Sequence, residues 1–382
     1  MKRNQKRYFR IAVLIFFISI LLLNSIYILR PKCEYSETEN RNLETKPMFS
    51  WDAVYSGRYG EQYESYIEDQ FPFRTVWIGC KTTVDCMLGK RESNNIFLGK
   101  DGYLIQNFTE PETDNLDATL FAIRRFFQKH PDLQQYMLIA PTAVSILSDK
   151  LPCHAPVGNE MMFLDRMEQE CASIGIEFVD VYDSLSEAAQ SEQVYYRTDH
   201  HWTTFGAYTA YLAFAKENEL TGAETEYQKL LVSDSFRGTL SASSGFRMSE
   251  TDDIYIYLPK RNRCNYVVSY PEEQVKSASF YCTDLLNVRD QYTVFLKGNH
   301  PLVKIQTDAQ LDKTLLIFKD SYANCFVPFL VEDYTEILLV DPRYYADDLE
   351  LLLESEYVTD VLYLYNADTL ASDSDLKTVI RS

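Results

Sequence analysis

Histidine is scarce in this chain, at 5 of its 382 residues, so imidazole chemistry can come from very few positions. The 8 cysteines form no CxxC motif, which excludes the usual zinc-ribbon and dithiol redox motifs. Disulfides between Cys80 and Cys86 or between Cys264 and Cys282 remain open, as do buried free thiols. The sequence also has no P-loop, dinucleotide fingerprint, internal repeat or low-complexity tract. We therefore expect a globular protein without a bound cofactor.

Acidic residues are absent from the first 30 positions, which carry 6 lysines and arginines. Because the whole chain has a formal net charge of -19, subtracting those 6 positive charges leaves -25 on residues 31–382. A region this acidic repels phosphate backbones and anionic lipid surfaces. Nucleic acid is therefore not an expected partner.

Residues 11–29 form an uncharged apolar run that, as a helix, would be roughly 28 Å long, close to the thickness of a bilayer core. Five basic residues precede the run, which favours a cytoplasmic N-terminus and an extracytoplasmic remainder. Arg30, Pro31 and Lys32 follow it in place of a small-residue cleavage site. An uncleaved anchor is therefore favoured over a cleaved signal peptide. We expect a single-pass cell-membrane protein anchored through residues 11–29, with residues 1–30 as cytoplasmic tail and anchor.

Beyond the anchor, residues 31–100 are typical of a membrane-proximal helical segment, and the pattern of residues 101–382 is typical of an α/β domain. In that domain, helical patterns separate apolar runs at 135–140, 176–181, 314–318, 336–340 and 358–365. Strands alternating with helices predict a parallel sheet covered by helices on both faces. Within about 220–310 this alternation of strands and helices is interrupted. Four β-prone segments there predict an inserted antiparallel β region, and they lie at 253–258, 265–270, 277–282 and 291–296.

The most informative stretch is Asp199-His200-His201-Trp202, which contains two of the few histidines. An imidazole titrates near neutral pH and is the commonest general base in enzymes. A carboxylate beside it can fix the imidazole tautomer and stabilise the imidazolium, as the Asp does in a hydrolase triad. This stretch therefore supplies a base and its orienting group, but no nucleophile.

A candidate nucleophile follows the apolar strand at 314–318, where the chain continues through Asp320 into Ser321. Ligands of open α/β sheets bind at the carboxyl ends of strands. A helix is predicted over 321–330, and its positive end would favour an oxyanion near Ser321. The alternative is that Asp320 or Ser321 only caps this helix, since both are favoured N-cap residues.

These motifs resemble those of a known family. Residues 197–203, Arg-Thr-Asp-His-His-Trp-Thr, look like the defining signature of the DHHW family of exported bacterial proteins. Further stretches that are similar to motifs of that family are Glu39-Asn40-Arg41, Asp69-Gln70-Phe71-Pro72, Gly298-Asn299-His300-Pro301 and Lys319-Asp320-Ser321-Tyr322. The family is similar to the alginate O-acetylation proteins, which have a circularly permuted SGNH hydrolase domain. The resemblance thus implies an SGNH hydrolase-like fold.

The resemblance also implies a Ser-His-Asp triad in which the Asp-x-His pair precedes the serine. On this chain Ser321 would be the nucleophile, His201 the general base and Asp199 its orienting group. His200 would then have a packing or hydrogen-bonding role, and it is also a candidate oxyanion or substrate-binding residue. The spacing Asp-x-His follows the alginate-acetylation proteins rather than the Asp-x-x-His of ordinary SGNH hydrolases.

Candidate oxyanion and substrate-binding residues lie at neighbouring strand ends. Asn366 resembles the oxyanion asparagine of the unpermuted fold, although it can equally cap the last helix. The glycine expected one strand earlier is missing, and Arg343 stands near that strand end as a cationic donor or as the partner of an acid. Asn299, in the inserted region, is a further candidate for the cleft.

Metal binding is the main chemical rival for the two histidines. Asp199, His200 and His201 are all residue types that bind zinc, but adjacent histidines are expected to point in different directions. No fourth ligand at metal-site spacing accompanies them. We therefore expect no metal.

The sequence thus predicts extracytoplasmic acyl transfer, or ester hydrolysis, on a cell-envelope or secreted polysaccharide. Its expected partners are that polysaccharide, an unidentified acyl donor and a membrane acyl-transfer protein. The alternative is a catalytically idle polysaccharide-binding or assembly protein. The missing glycine and the large insertion are the features that favour this alternative.

Overall fold

The computed structural model describes residues 2–36, 41–246, 250–261 and 263–381. It divides into two compact units, Met1–Lys90 with Gly245–Arg247, and Arg91–Ser244 with Met248–Ser382. Glu39 and Asn40 of the first family-like motif lie outside the described residues.

The first unit begins with the predicted apolar helix. Its helices and strands are α1 (Lys2–Leu29), β1 (Tyr35–Ser36), β2 (Arg41–Asn42), α2 (Trp51–Tyr55), α3 (Arg58–Asp69) and α4 (Arg74–Met87). Residues 5–29 of α1 are long and apolar enough to cross a membrane. Helix α2 begins where the side chain of Ser50 accepts a hydrogen bond from the Ala53 N–H, and α3 ends just before Pro72, which disfavours helix in the residue preceding it.

The second unit contains an eight-stranded mixed sheet, which confirms the predicted α/β class. Its strands in chain order are β3 (Glu92–Ser93), β4 (Ile96–Leu98), β5 (Leu104–Gln106), β6 (Gln134–Ala140), β7 (Glu177–Phe178), β8 (Tyr227–Phe236), β9 (Asp252–Pro259), β10 (Tyr266–Tyr270), β11 (Val275–Ser277), β12 (Leu302–Thr307), β13 (Thr314–Lys319), β14 (Glu336–Val340) and β15 (Asp360–Asn366). The main sheet has the order β11-β10-β12-β14-β13-β15-β6-β7. Its last five strands are parallel, and the three strands from the insertion continue the sheet through antiparallel pairings, in which β12 pairs with β14, β10 with β12 and β11 with β10. Separately, β3–β5 and the pair β8–β9 form small antiparallel sheets.

Helices cover both faces of the main sheet. They are α5 (Thr113–Lys129), α6 (Ala143–Ile146), α7 (Glu160–Ile174), α8 (Tyr182–Ala188), α9 (Thr204–Glu217), α10 (Thr239–Ser243), α11 (Ala323–Phe326), α12 (Leu349–Ser355), α13 (Ala367–Ser372) and α14 (Leu376–Val379). Phe318 of β13 and Met137 of β6 flank Tyr363 in register, so they share a face, and Tyr136 points to the opposite one. Phe318 packs on Phe126 of α5, whereas Tyr136 packs on α9. Burial on both faces explains why β13 and β15 have uninterrupted buried residues.

Two predicted strands of the insertion are wrong. The predicted segment 277–282 overlaps β11 only at Ser277, the last residue of that strand. The predicted segment 291–296 begins with a 3-10 turn over Gln291–Val294. Side chains there bond to nearby backbone, as when Thr293 Oγ1 donates to the Asp290 carbonyl, and such bonds compete with a strand ladder. Conversely, the sequence patterns did not predict β8 and β12.

Two elements of the parallel part are shorter than predicted. The strand predicted over 176–181 is limited to β7, and the helix predicted over 321–330 is one α-helical turn, α11, followed by a 3-10 turn over Val327–Leu330. Pro328 explains the second difference, because it lacks an N–H and its ring clashes with the preceding turn. The helix dipole expected behind Ser321 is therefore that of a very short helix. Cys80, Cys86, Cys264 and Cys282 form no disulfide.

Candidate active site

Ser321 lies directly after β13, at the carboxyl end of the parallel strands. The turn that presents it is fixed by the buried carboxylate of Asp320, whose Oδ1 accepts the Tyr322 N–H at 2.8 Å. Its Oδ2 accepts the backbone N–H of Asn366 at 2.9 Å, and so ties this turn to the end of β15. Burial raises the pKa of Asp320, while these N–H donors oppose that rise. Sheet register and a short polar turn thus determine where Ser321 stands.

The structure brings Ser321, His201 and Asp199 into one hydrogen-bonded chain. Ser321 Oγ lies 2.7 Å from His201 Nε2, and His201 Nδ1 lies 2.5 Å from Asp199 Oδ1. Because a carboxylate only accepts, Nδ1 carries the proton and Nε2 is free to accept from the serine hydroxyl. Both His201 and Asp199 are buried, whereas Ser321 is partly accessible. This is the arrangement that a serine nucleophile and its general base require.

Asp199 is held as an anion by donors on both of its oxygens. Oδ1 also accepts the His201 N–H at 3.0 Å, and Oδ2 accepts the N–H and Oγ1–H of Thr239 at 2.7 and 3.1 Å. Burial alone would raise the pKa of Asp199, but the two imidazoles and these donors hold it well below its usual range. The neighbouring Gly238 leaves room for this carboxylate, since a Cβ there would lie 2.1 Å from Asp199 Oδ2.

The loop that carries Asp199 and His201 is organised by a second buried carboxylate, Asp252, at the start of β9. Asp252 accepts hydrogen bonds from Gln193 Nε2, from the Arg197 N–H and from both the N–H and the hydroxyl of Thr198. These four bonds at 2.7–2.9 Å fix the backbone immediately before Asp199. We expect this carboxylate to contribute substantially to the free energy of unfolding, because the donors would lose their acceptor without it.

Aromatic rings fix the orientation of the His201 imidazole. Tyr292 stacks on it with centroids 3.8 Å apart and an interplanar angle of 12°. The Tyr292 hydroxyl donates toward the Ser321 carbonyl at 3.3 Å and also lies 3.2 Å from Cys325 Sγ. Trp202 Nε1 donates to the Tyr322 carbonyl at 3.0 Å, which links the base loop to the serine turn. Two segments far apart in sequence are thereby locked together.

His200 lies beside Ser321, His201 and Asp199 without belonging to their hydrogen-bonded chain. Its Nδ1 is 2.8 Å from Thr239 Oγ1, and its ring lies 3.9 Å from that of His201. Burial and the neighbouring His201 lower the pKa of His200 to about 4. The residue thus occupies a hydrogen-bonding position as a neutral imidazole near pH 7.

Asn366 and Arg343 are both engaged by acids. Asn366 caps α13 through Oδ1, and its Nδ2 donates to Asp320 Oδ2 at 2.7 Å and to Thr369 Oγ1 at 2.6 Å. Arg343 forms a two-point ion pair with the fully buried Asp341, at 2.8 and 2.6 Å. Burial would lower the pKa of Arg343, but Asp341 raises it. The arginine therefore stays charged. An oxyanion or substrate role for either residue stays a prediction.

Asn299 lies against a buried lysine, Lys319, to which the sequence patterns assigned no role. Its Oδ1 accepts from Lys319 Nζ at 2.9 Å, and Asn324 Oδ1 accepts from the same ammonium at 2.8 Å. Asp341 lies 3.6 Å from Lys319, whose pKa burial lowers to about 8. The available signal was a charged residue at the end of an otherwise apolar strand. No comparable signal marks Gly238, Asp252 or Tyr292.

The metal alternative has some geometric support, contrary to the expectation that adjacent histidines diverge. The two imidazole rings lie close together, with centroids 3.9 Å apart and an interplanar angle of 38°, and the ligand atoms of Asp199, His200 and His201 all lie within 4.8 Å of one another. Both nitrogens of His201 are already engaged, by Asp199 and by Ser321. A bound metal would have to displace one of those two partners, so the donor set fits a triad better than a metal centre.

Comparison with known proteins relates this geometry to a family. A family model described as an SGNH hydrolase-like domain, acetyltransferase AlgX, matches residues 96–296, which include Asp199 and His201 but not Ser321. The chain is 24% identical over 212 residues to a probable alginate O-acetylase AlgJ of Pseudomonas syringae pv. tomato, covering 53% of this chain and 51% of that protein. The AlgJ of Azotobacter vinelandii is 21% identical over 199 residues, covering 50% and 48%. The chain thus spans about half the length of the curated relatives it matches.

Two solved structures share the fold over a larger part of the chain. A DHHW family protein from Eubacterium siraeum superposes with a TM-score of 0.63 and 22% identity, covering 76% of this chain and 96% of that one. PatB1 from Bacillus cereus, solved with a sulfonyl adduct, superposes with a TM-score of 0.59 and 19% identity, covering 73% and 96%. At such identities the likeness concerns the fold alone.

Proposed function

The chain belongs to the family of SGNH hydrolase-like AlgX acetyltransferase domains, and from this premise we propose that it transfers an acetyl group to or from a polysaccharide hydroxyl. The observation that carries the proposal is the continuous hydrogen-bonded chain from Ser321 through His201 to Asp199. The curated relatives are named probable alginate O-acetylases, which agrees with acyl transfer on a glycan.

The proposed reaction has two halves. In the first, His201 Nε2 takes the Ser321 proton while Oγ attacks the acetyl carbonyl of the donor. The tetrahedral intermediate then collapses, the donor oxygen leaves with the proton from His201, and acetyl-Ser321 remains. In the second half, His201 deprotonates a sugar hydroxyl, which attacks the acetyl-serine and regenerates Ser321. Water in place of the sugar hydroxyl makes the same site an esterase.

The Ser321 N–H is the first candidate to stabilise the oxyanion. Within the described residues this N–H makes no hydrogen bond, so it is available to a developing negative charge. Asn366 would have to turn its amide away from Asp320 and Thr369 to add a second donor. We therefore assign the Ser321 N–H to the oxyanion hole, and Asn366 to the support of the Asp320 turn.

The proposed location is the outer face of the cell membrane. Helix α1 is an anchor or a signal sequence by length and composition, and the basic residues before it favour a cytoplasmic N-terminus. The acidic remainder would then face the glycan. An acyl donor, delivered by a membrane acyl-transfer protein or as a soluble ester, completes the proposed reaction.

One observation favours a second function, a polysaccharide-binding protein with an idle site. The glycine expected after β14 is absent, Arg343 is paired with Asp341, and Asn366 is engaged as a cap. An oxyanion hole with one donor is weaker, since losing one donor typically costs about 3–4 kcal/mol of transition-state stabilisation. Such a protein would bind the glycan without forming acetyl-serine.

A fluorophosphonate probe separates the two functions, because it reacts with a serine only where a base activates it. We expect stoichiometric labelling of the full chain at Ser321, loss of labelling in Ser321→Ala and in His201→Ala, and parallel loss of hydrolysis of a small acetyl ester. Ser191→Ala is the matched control, since Ser191 is an exposed serine whose hydroxyl only bonds the Ala188 carbonyl. Absence of both labelling and ester hydrolysis in the folded wild-type protein would leave the idle-site function standing.

A further inference from the structure

A cavity of about 300 Å³ borders the triad on the side of His200. Two of its lining residues connect it to the candidate active site. Thr239 donates a hydrogen bond to Asp199, and Tyr322 is the residue after Ser321. Its volume is at the lower end of the roughly 300–1,000 Å³ typical of small-molecule sites. It thus has room for a sugar unit, but not for a long polymer segment, next to the proposed nucleophile.

The charge of this cavity is unusual for a protein with relatives named for alginate, a polymer of uronic acids. None of its 12 lining residues is a lysine or an arginine. Its one carboxylate, Asp368, accepts hydrogen bonds from Gln106 Nε2 at 2.9 Å and from the Thr109 N–H at 3.0 Å. Burial raises the pKa of Asp368 and these two donors oppose that rise, so Asp368 offers no positive charge to a uronate in either protonation state.

The remaining lining is made of neutral polar groups and small apolar side chains. Thr142, Asn107 and Thr369 contribute hydroxyl and amide groups, and Ala143 and Leu240 contribute apolar surface. Hydroxyls and amides both donate and accept, which suits the hydroxyl groups of a sugar ring. Uronate recognition instead needs a cationic partner, typically the two-point geometry of arginine.

His200 provides a polar atom for such a ligand. Its Nδ1 faces Thr239, while Nε2 makes no hydrogen bond within the described residues and is not buried. With its pKa lowered by burial and by His201, this imidazole is neutral near pH 7 and presents no cation to a carboxylate. The charge of -25 on residues 31–382 adds a repulsive field of longer range.

We propose that this cavity binds an uncharged sugar unit of the acceptor glycan and excludes uronates, so that the substrate is a neutral polysaccharide rather than an alginate-like polyanion. This inference rests on the proposed function, because the bound sugar is an acceptor only if the protein transfers an acetyl group to it. Its test, however, measures binding and does not require catalysis.

The experiment uses the full chain in detergent with Ser321→Ala, which removes chemistry, and measures binding by calorimetry. The probes are two tetrasaccharides of equal length, one of N-acetylglucosamine and one of mannuronate. We expect the neutral probe to bind at least about tenfold more tightly at low salt. The ratio should shrink as the NaCl concentration rises from about 20 mM to about 500 mM, because salt screens the repulsion of the anion.

Charge variants locate the effect. Ser243→Lys places a cation at the rim, where the exposed Ser243 donates only to the Thr239 carbonyl, and we expect it to strengthen mannuronate binding at least about fivefold. Ser191→Lys makes the same change at an exposed serine outside the cavity and should leave the ratio unchanged. Asp368→Asn provides a second arm, since it removes the carboxyl group from the wall and should also favour mannuronate.

Each outcome decides the inference. Preference for the neutral probe, relieved by Ser243→Lys or Asp368→Asn but not by Ser191→Lys, supports it. Equal or tighter binding of mannuronate by the starting protein, or binding of neither probe, overturns it. A preserved preference together with no fluorophosphonate labelling of the wild-type protein would instead reject the catalytic proposal and leave the ligand class intact.

Discussion

Ser321 and His201 lie 2.7 Å apart, yet the fold positions them by different means. Ser321 stands at the end of β13, a strand whose six residues are all buried and whose parallel neighbours fix its register. His201 lies in an irregular loop between α8 and α9, and residues of the inserted region hold that loop. They are Gly238 and Thr239 beside Asp199, Asp252 below the preceding backbone, and Tyr292 on the imidazole.

Under the proposed function, this difference separates a nucleophile half of the site, around Ser321, from a base half, around Asp199 and His201. Changes around the nucleophile half act on the centre of the sheet and therefore on the whole fold. Changes in the base half act through a few hydrogen bonds and through the close approach of Gly238 to Asp199. The base half should therefore be the place where activity is lost while the sheet stays folded.

The largest expected effect comes from Gly238→Ala. The new methyl group would occupy the space of Asp199 Oδ2, so Asp199 must move and His201 loses its orienting partner. Under the proposed function we expect kcat for acetyl ester hydrolysis to fall roughly 10³-fold or more, as for loss of a triad carboxylate. Gly60→Ala is the control, because nothing lies within 4 Å of a Cβ at Gly60. Retained activity in Gly238→Ala would show that the base half tolerates displacement of Asp199.

The next effect concerns stability. In Asp252→Ala four buried or half-buried donors of Gln193, Arg197 and Thr198 lose their acceptor, and we expect the free energy of unfolding to fall by about 3 kcal/mol. Denaturant unfolding followed by circular dichroism measures this. Asp253→Ala, at the adjacent exposed carboxylate, should change it by less than about 0.5 kcal/mol. Similar losses in the two variants would mean that Asp252 does not organise the loop.

A smaller effect is expected at the ring that stacks on the base. Tyr292→Leu removes the stacking partner of His201, a contact worth about 1.4 kcal/mol, so kcat should fall about tenfold. Tyr292→Phe keeps the ring and loses only the hydroxyl contacts to the Ser321 carbonyl and Cys325, so it should retain most of the activity. If Phe and Leu variants lose activity equally, the hydroxyl rather than the stacking positions the base.

The same comparison explains what sequence patterns could and could not predict. The apolar runs of β13 and β15 identified the centre of the sheet, because strands buried on both faces have no polar positions. The motif at Asp199–Trp202 is local as well, so it could be recognised directly. The hydrogen-bonded pair Asp199 and His201 and the strand end that carries Ser321 could therefore be found in short stretches of sequence.

The groups that hold the base half were not visible, because their contacts join residues far apart in the chain. Asp252 bonds Thr198 across 54 positions, and Lys319 at the other half bonds Asn299 across 20. The segments 277–282 and 291–296 have β-prone compositions, yet burial of their aromatic side chains and local hydrogen bonds replaced strand pairing there. Propensity describes a residue's local preference, and tertiary packing overrode it.

The last expected effect concerns the pH dependence of stability and distinguishes the two adjacent histidines. Burial and His201 lower the pKa of His200 to about 4, from about 6.5 in an unfolded chain. Between these two values the unfolded chain binds more protons than the folded one, so the free energy of unfolding should decrease as the pH falls from 6.5 through 4. In His200→Gln, which keeps a hydrogen-bonding group toward Thr239 but does not titrate, that part of the decrease should disappear. Unfolding curves of both proteins at several pH values within this window measure the difference, and parallel pH dependence would place the acid-sensitive group elsewhere.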